Sequence, residues 1–277
     1  MRVRGCWLPT ALHLIAFFLG PASSAPAQIN LSWTGGGADT SWTTIANWSG
    51  VSYPNNGQPN PGDTYNATVN TGTPTLNADI TINNYTQGGG TVGGASKLTV
   101  NGLYTWSGGT MQGTGTTTLN GSAMLSGTLT LDRPVSNAPG STVTLNSGGN
   151  LLANANAAWT NQAGATFNLV DANLGRTAGS STPNPFTNAG TFLSSGGFID
   201  WDFLNTGTVV VSSGQLTFNL NVGRYADTGS YSIGSGAQLK FNSQARSILT
   251  AVSGLGTLND AGALLSLGGA NLALQRS

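Results

Sequence analysis

Apolar side chains recur at every second position through most of this 277-residue chain, and that spacing commits the backbone to strands. Ile80 and Ile82, Leu98 and Val100, Leu129 and Leu131, Val143 and Leu145 each form such a pair. Leu216, Phe218, Leu220 and Val222, then Tyr231 and Ile233, then Leu239 and Phe241 continue the pattern. Thr, Ser and Asn fill the alternate places, while Gly, Asn and Pro punctuate the runs about every ten residues, as many short strands require. Two stretches read differently: Ala155 to Trp159 as a short helix, and the tail Ala261 to Gln275 as a weakly capped one.

Charge is nearly absent. Only 6% of residues are charged, about a quarter of the usual share, with nine Asp and no Glu. Zero formal net charge removes the clustered Lys and Arg that nucleic acid binding needs, so no nucleic acid partner is expected. An acidic disordered tail is equally excluded, and 38% hydrophobic residues suffice for a real core.

Arg2 and Arg4, the apolar run Ala11 to Gly20, and the small-residue site Ala25, Pro26, Ala27 together read as a secretory signal peptide over residues 1–27. The apolar run is about half of what crosses a bilayer, so residues 28–277 are expected outside the cell, secreted or surface-held, with no membrane span. Cleavage there would also remove Cys6 and His13. What remains lacks His, Cys and Glu and carries seven cations against nine carboxylates. No Ser/His/Asp or Cys/His nucleophile system, no nitrogen- or sulfur-ligated zinc and no disulfide can be built from it. No cofactor is expected, and packing and backbone hydrogen bonds must hold the fold.

A repeat runs through the middle of the chain. Val135 with Asn137 and Gly140, Trp159 with Asn161 and Gly164, Phe186 with Asn188 and Gly190, and Phe203 with Asn205 and Gly207 share one pattern, at starts 24, 27 and 17 residues apart. Such a period predicts an all-β, single-stranded parallel β-helix, a β-solenoid whose loops vary while its strands stay stacked. At roughly 20–25 residues per coil it makes about ten irregular coils, a rod ~50 Å long. The series Asn137, Asn161, Asn188, Asn205 either stacks as an amide ladder or makes four unrelated turns. The expected organisation is an aromatic-rich N-terminal cap over residues 28–75 and coils over 76–277.

Trp33, Gly35, Asp39, Trp42, Asn47, Trp48, Pro54, Pro61, Gly62 and Asp63 resemble the start of exported bacterial β-solenoid proteins related to autotransporter passenger domains. Leu98 to Gly102, Trp106, Gly108 to Met111 and Gly113 to Thr118 resemble coils of the same group, which includes filamentous-haemagglutinin-like adhesins. The resemblance implies an extracellular adhesive or structural role. The sequence departs from autotransporters in showing no translocator barrel after Leu272 to Ser277, and no sorting or lipidation motif.

Three groups of side chains are candidates for chemistry. Trp33, Trp42, Trp48 and Tyr53 either offer ring faces to sugars or plug the open end of the first coil. Asp200 and Asp202 flank Trp201; in an unbroken strand both carboxylates would share one side, where a pair can hydrolyse glycosides or hold Ca²⁺, or simply sit in water. Asp39 and Asp63 could serve a hard cation or bond their own loops. The Gly runs open no helix, so they are not phosphate loops, and Ser96 beside Lys97 is no dyad, since strand neighbours face opposite ways. The leading expectation is a non-enzymatic β-solenoid for adhesion or matrix structure, with polysaccharide or other surface proteins as partners. The rivals are a carbohydrate-active β-helix using the Asp pair and a passive stalk.

Overall fold

The computed structural model describes residues 28–178, 184–219, 226–242, 246–261, 265–266 and 271–274; the proposed leader, Leu220 and Val222 lie outside them. Among these residues there is no α-helix, only a 3-10 turn at Ile45–Asn47. Strands fill the rest, and every strand-to-strand ladder is parallel, as expected when each turn of chain lies on the one before.

The strands form a three-sided solenoid. Its first face is a twelve-stranded sheet, its second a ten-stranded sheet, and its third a seven-stranded sheet carried on by a three-stranded one. In chain order the strands visit first, second and third face in turn. Eight such turns run from Thr64–Val69 to Ala226–Asp227, and the later strands keep the same order through Asn271–Leu274.

Register explains the irregular repeat. Val135 pairs with Trp159, Trp159 with Phe186 and Phe186 with Phe203, so the spacings of 24, 27 and 17 are single turns of unequal loop length. The strand positions stay aligned because a slip by one residue would turn every apolar side chain outward. Alternation makes the inner wall: Phe167 stacks on Phe192 at 5.4 Å, and Phe186 on Phe203 at 5.2 Å, all fully buried. Each such ring contributes roughly 1.5–3 kcal/mol by leaving water.

The expected helix at Ala155 to Trp159 does not form. Ala158–Asn161 is a strand, because Trp159 and Asn161 are rungs in register with Val135 and Asn137, and ladder pairing outweighs the helix propensity of Ala. The tail likewise contributes strands, at Leu265–Ser266 and Asn271–Leu274.

Glycine is required where one corner stacks closely on the next. Gly72, Gly90 and Gly109 hold φ of +78°, +70° and +86°, and a Cβ on Gly109 would lie 2.3 Å from the Gly90 carbonyl oxygen.

The N-terminal end is closed by aromatic residues. The strand Gln28–Ser32 forms one edge of the twelve-stranded sheet, paired with Thr64–Val69, and the loop between them carries three indoles inward. Trp33 and Trp48 pack edge-on at 5.3 Å and Trp42 and Trp48 at 4.5 Å; Trp42 then meets Tyr85 of the second turn at 6.2 Å.

Candidate functional site

The cap indoles are buried: Trp33 is 8% exposed, Trp42 0% and Trp48 4%. The polar edges of two of them are also engaged, Trp42 Nε1 donating to Pro54 O at 2.9 Å and Trp48 Nε1 to Trp42 O at 2.7 Å. These rings plug the end of the solenoid and keep no free face for a sugar. Tyr53 is only half-buried and lines a surface cleft of about 130 Å³ with Ile45, Val51, Ser52, Gln58 and Pro59.

Asp39 and Asp63 each serve their own loop. Asp39 Oδ1 accepts the Ser41 N–H at 2.9 Å and Oδ2 accepts the Thr44 hydroxyl at 3.0 Å, and these bonds hold its pKa below the ordinary carboxylate value. Asn47 Nδ2 also donates to the Asp39 carbonyl at 3.0 Å, tying the loop to the buried Asn47. Asp63 accepts Asn60 Nδ2 at 3.0 Å. Among the described residues no group of three or more His, Cys, Asp or Glu gathers as a metal centre would.

Asp200 and Asp202 do not share a strand face. Gly197–Ile199 ends on the second side and Asp202–Asn205 begins on the third, so Asp200 and Trp201 form the corner between them. A corner resets the two-residue alternation, which is why Trp201, Asp202 and Phe203 are all buried in succession. Trp201 Nε1 donates to Gly175 O at 2.7 Å. Asp200 instead terminates an amide series: Asn242 Nδ2 donates to Asn219 Oδ1 at 2.8 Å, and Asn219 Nδ2 donates to Asp200 Oδ1 at 2.7 Å.

The Asn series of the repeat forms a continuous internal ladder. Asn137 Nδ2 donates to Asn161 Oδ1 at 2.8 Å, Asn161 Nδ2 to Asn188 Oδ1 at 2.8 Å, and Asn188 Nδ2 to Asn205 Oδ1 at 2.9 Å. All four are fully buried. Each amide also gives a proton to a backbone carbonyl one turn on, Thr166, Thr191, Thr208 and Ser230 in order. Both NH₂ protons of Asn137, Asn161 and Asn188 are therefore used, which is the condition for carrying amides through an apolar core. None of the four has positive φ; they end strands and do not make left-handed turns.

The ladder is bounded at both ends. Leu119 precedes it in register, and Ser141 Oγ donates to Asn137 Oδ1. At the far end buried Asp227 accepts the Asn205 backbone N–H at 2.8 Å and the Tyr231 hydroxyl at 2.7 Å. Sequence reasoning did not single out Asp227; its signal was position, one turn beyond Asn205.

Outside, the third face presents a hydroxyl row. Thr81, Thr99, Thr118, Ser136, Thr160 and Thr187 occupy one register position on six successive rungs, all at least partly exposed. Rungs in a parallel sheet stand ~4.8 Å apart, so the hydroxyls form a regular uncharged line.

Among the described residues no helix is long and apolar enough to cross a membrane. No protein-family model, curated protein or solved structure matches the chain. What its own coordinates establish is an all-β parallel β-solenoid with an aromatic cluster in the N-terminal region.

Proposed function

We propose that the protein is an exported, non-enzymatic β-solenoid that works at the cell surface or in extracellular matrix as an adhesive or structural element. The leader-like segment 1–27 and the resemblance to autotransporter passengers and filamentous-haemagglutinin-like adhesins support the location. The hydroxyl row from Thr81 to Thr187 carries the reading of mechanism. Six rigid, evenly spaced hydroxyls can donate and accept hydrogen bonds along an extended partner, and many weak contacts in register add through effective concentration. A neutral polysaccharide or the polar face of another surface protein is the fitting partner. The low charge makes such contact insensitive to salt.

The experiment is pull-down of the purified protein on insoluble neutral polysaccharides, with the double variant Thr118→Lys and Thr160→Lys as comparison. Adhesion predicts retention by the parent, little change with salt, and loss in the variant at unchanged fold. Release of reducing or unsaturated ends, abolished by Asp202→Asn, would establish the enzyme instead. No retention on any glycan or surface protein would leave the stalk.

A further inference from the structure

Arg133 is the one cation sealed into the core among the residues whose burial is described, at 0% exposure. It stands in the corner between Thr128–Asp132 and Pro134–Asn137, and its guanidinium reaches back through two turns. Nη1 donates to Gln112 O at 3.4 Å and Nη2 to Ser96 O at 3.0 Å. The register of Thr117 with Val135 places Gly115 on the rung before Arg133. A Cβ on Gly115 would lie 2.0 Å from that same Ser96 oxygen, so no side chain can block the approach.

The first face supplies the other wall. Tyr85 stacks on Tyr104 at 5.2 Å, and the column then narrows to Ala123, the register partner of Tyr104, in the turn that holds Arg133. The Tyr104 hydroxyl donates to Gln87 Oε1 at 3.5 Å. Three buried donors in these turns have no acceptor: Arg133 Nε, the Tyr85 hydroxyl and the Thr117 hydroxyl. No carboxylate among the described residues pairs with Arg133. A guanidinium stays protonated at any ordinary pH, so its charge is met by two carbonyl dipoles alone.

Unmet donors beside an uncompensated cation select an acceptor that brings negative charge. We propose that this part of the core binds one small monovalent anion of the halide class, held by Arg133 Nε and the Tyr85 hydroxyl. The anion neutralises the guanidinium and completes a staple across three turns. A water molecule would satisfy the donors and leave the charge standing, so the two occupants differ in what they do to stability.

Crystals of the protein grown in bromide test this directly. The expected result is an anomalous peak within hydrogen-bonding reach of Arg133 Nε and the Tyr85 hydroxyl. In parallel, thermal unfolding of the parent and of Arg133→Met is followed in chloride and in gluconate at equal ionic strength. The parent midpoint should rise by a few degrees with chloride, saturably, and the variant should show no difference. Absence of a bromide peak, density that fits water only, or equal parent midpoints in the two salts would overturn the proposal. Should Arg133→Met fail to fold, the peak and the parent's chloride dependence decide.

Discussion

Breaking the amide ladder in its middle should damage the core far more than its single side chain suggests. Asn161→Ala removes three hydrogen bonds of 3.0 Å or less, the donation to Asn188 Oδ1, the donation to Thr191 O and the acceptance from Asn137 Nδ2, together with a long 3.5 Å contact to Ala165 O. At a net of about 1 kcal/mol each these amount to about 3 kcal/mol. Asn188 Oδ1 and Thr191 O then remain buried without that donor, which raises the expected loss to ~3–5 kcal/mol. Asn137 keeps its bond to Thr166 O, so the damage spreads toward later turns more than earlier ones. Thr160→Ala, one residue away and exposed, is the control and should stay within about 0.5 kcal/mol. The assay is urea unfolding of each variant, with hydrogen exchange to locate the weakened turns. Asn161→Ala combined with Asn188→Ala should cost less than the two singles together, by ~0.5–3 kcal/mol, because each single already severs the shared bond. A loss below about 1 kcal/mol for Asn161→Ala, or strict additivity of the pair, would refute the reasoning.

Gly197 and Gly140 separate two costs of replacing glycine by alanine. Both have positive φ, but a Cβ on Gly197 meets Ala172 O at 1.8 Å while Gly140 has open space; Gly140→Ala should lose about 1–2 kcal/mol and Gly197→Ala ~3–5 in chemical denaturation. Trp42→Ala should cost ~3–5 kcal/mol and loosen the first turns selectively, seen as faster amide exchange around Tyr65 and Tyr85 with later turns unaffected. Alkali should destabilise the fold. Burial raises the phenols of Tyr85 and Tyr104 above the ordinary value of 10, so their contribution is complete below pH 10 and is lost as pH climbs toward their folded-state values. Burial draws Arg133 down to about 10 from 12.5, which favours the fold as pH rises between those values, but one guanidinium opposes two phenols. Unfolding midpoints should therefore fall above pH 10 together with phenolate absorbance, and a midpoint that rises there would contradict the assignment.

The sequence carried the architecture because a parallel solenoid reads out locally. Alternation marks each strand, and Val135, Trp159, Phe186 and Phe203 with their Asn partners mark the turns, so the register could be written before any coordinates. What it hid lies at corners. Asp202 is inward and Asp200 is not its neighbour on a shared face, because two corner residues break the alternation on which that pairing depended. Arg133 occupies another corner, and an arginine between Asp132 and Pro134 gives no local sign of turning into the core. The run Ala155 to Trp159 looked helical because its neighbours in the ladder are 24 and 27 residues away, beyond any local window. The ladder itself was visible as a spacing, whereas its anchors, Ser141 and Asp227, follow only from the stacking.

Stacking of successive turns is most directly tested by cysteine cross-linking with Cys6→Ser as background. Thr118 and Ser136 are register partners on adjacent rungs of the third face, whereas Thr118 and Thr160 stand two rungs apart. Adjacent rungs are ~4.8 Å apart, inside disulfide range, and two rungs exceed it. The pair Thr118→Cys with Ser136→Cys should form an intramolecular disulfide under mild oxidation, and Thr118→Cys with Thr160→Cys should not. A bond in the distant pair with none in the adjacent pair would show that the chain does not coil in this register.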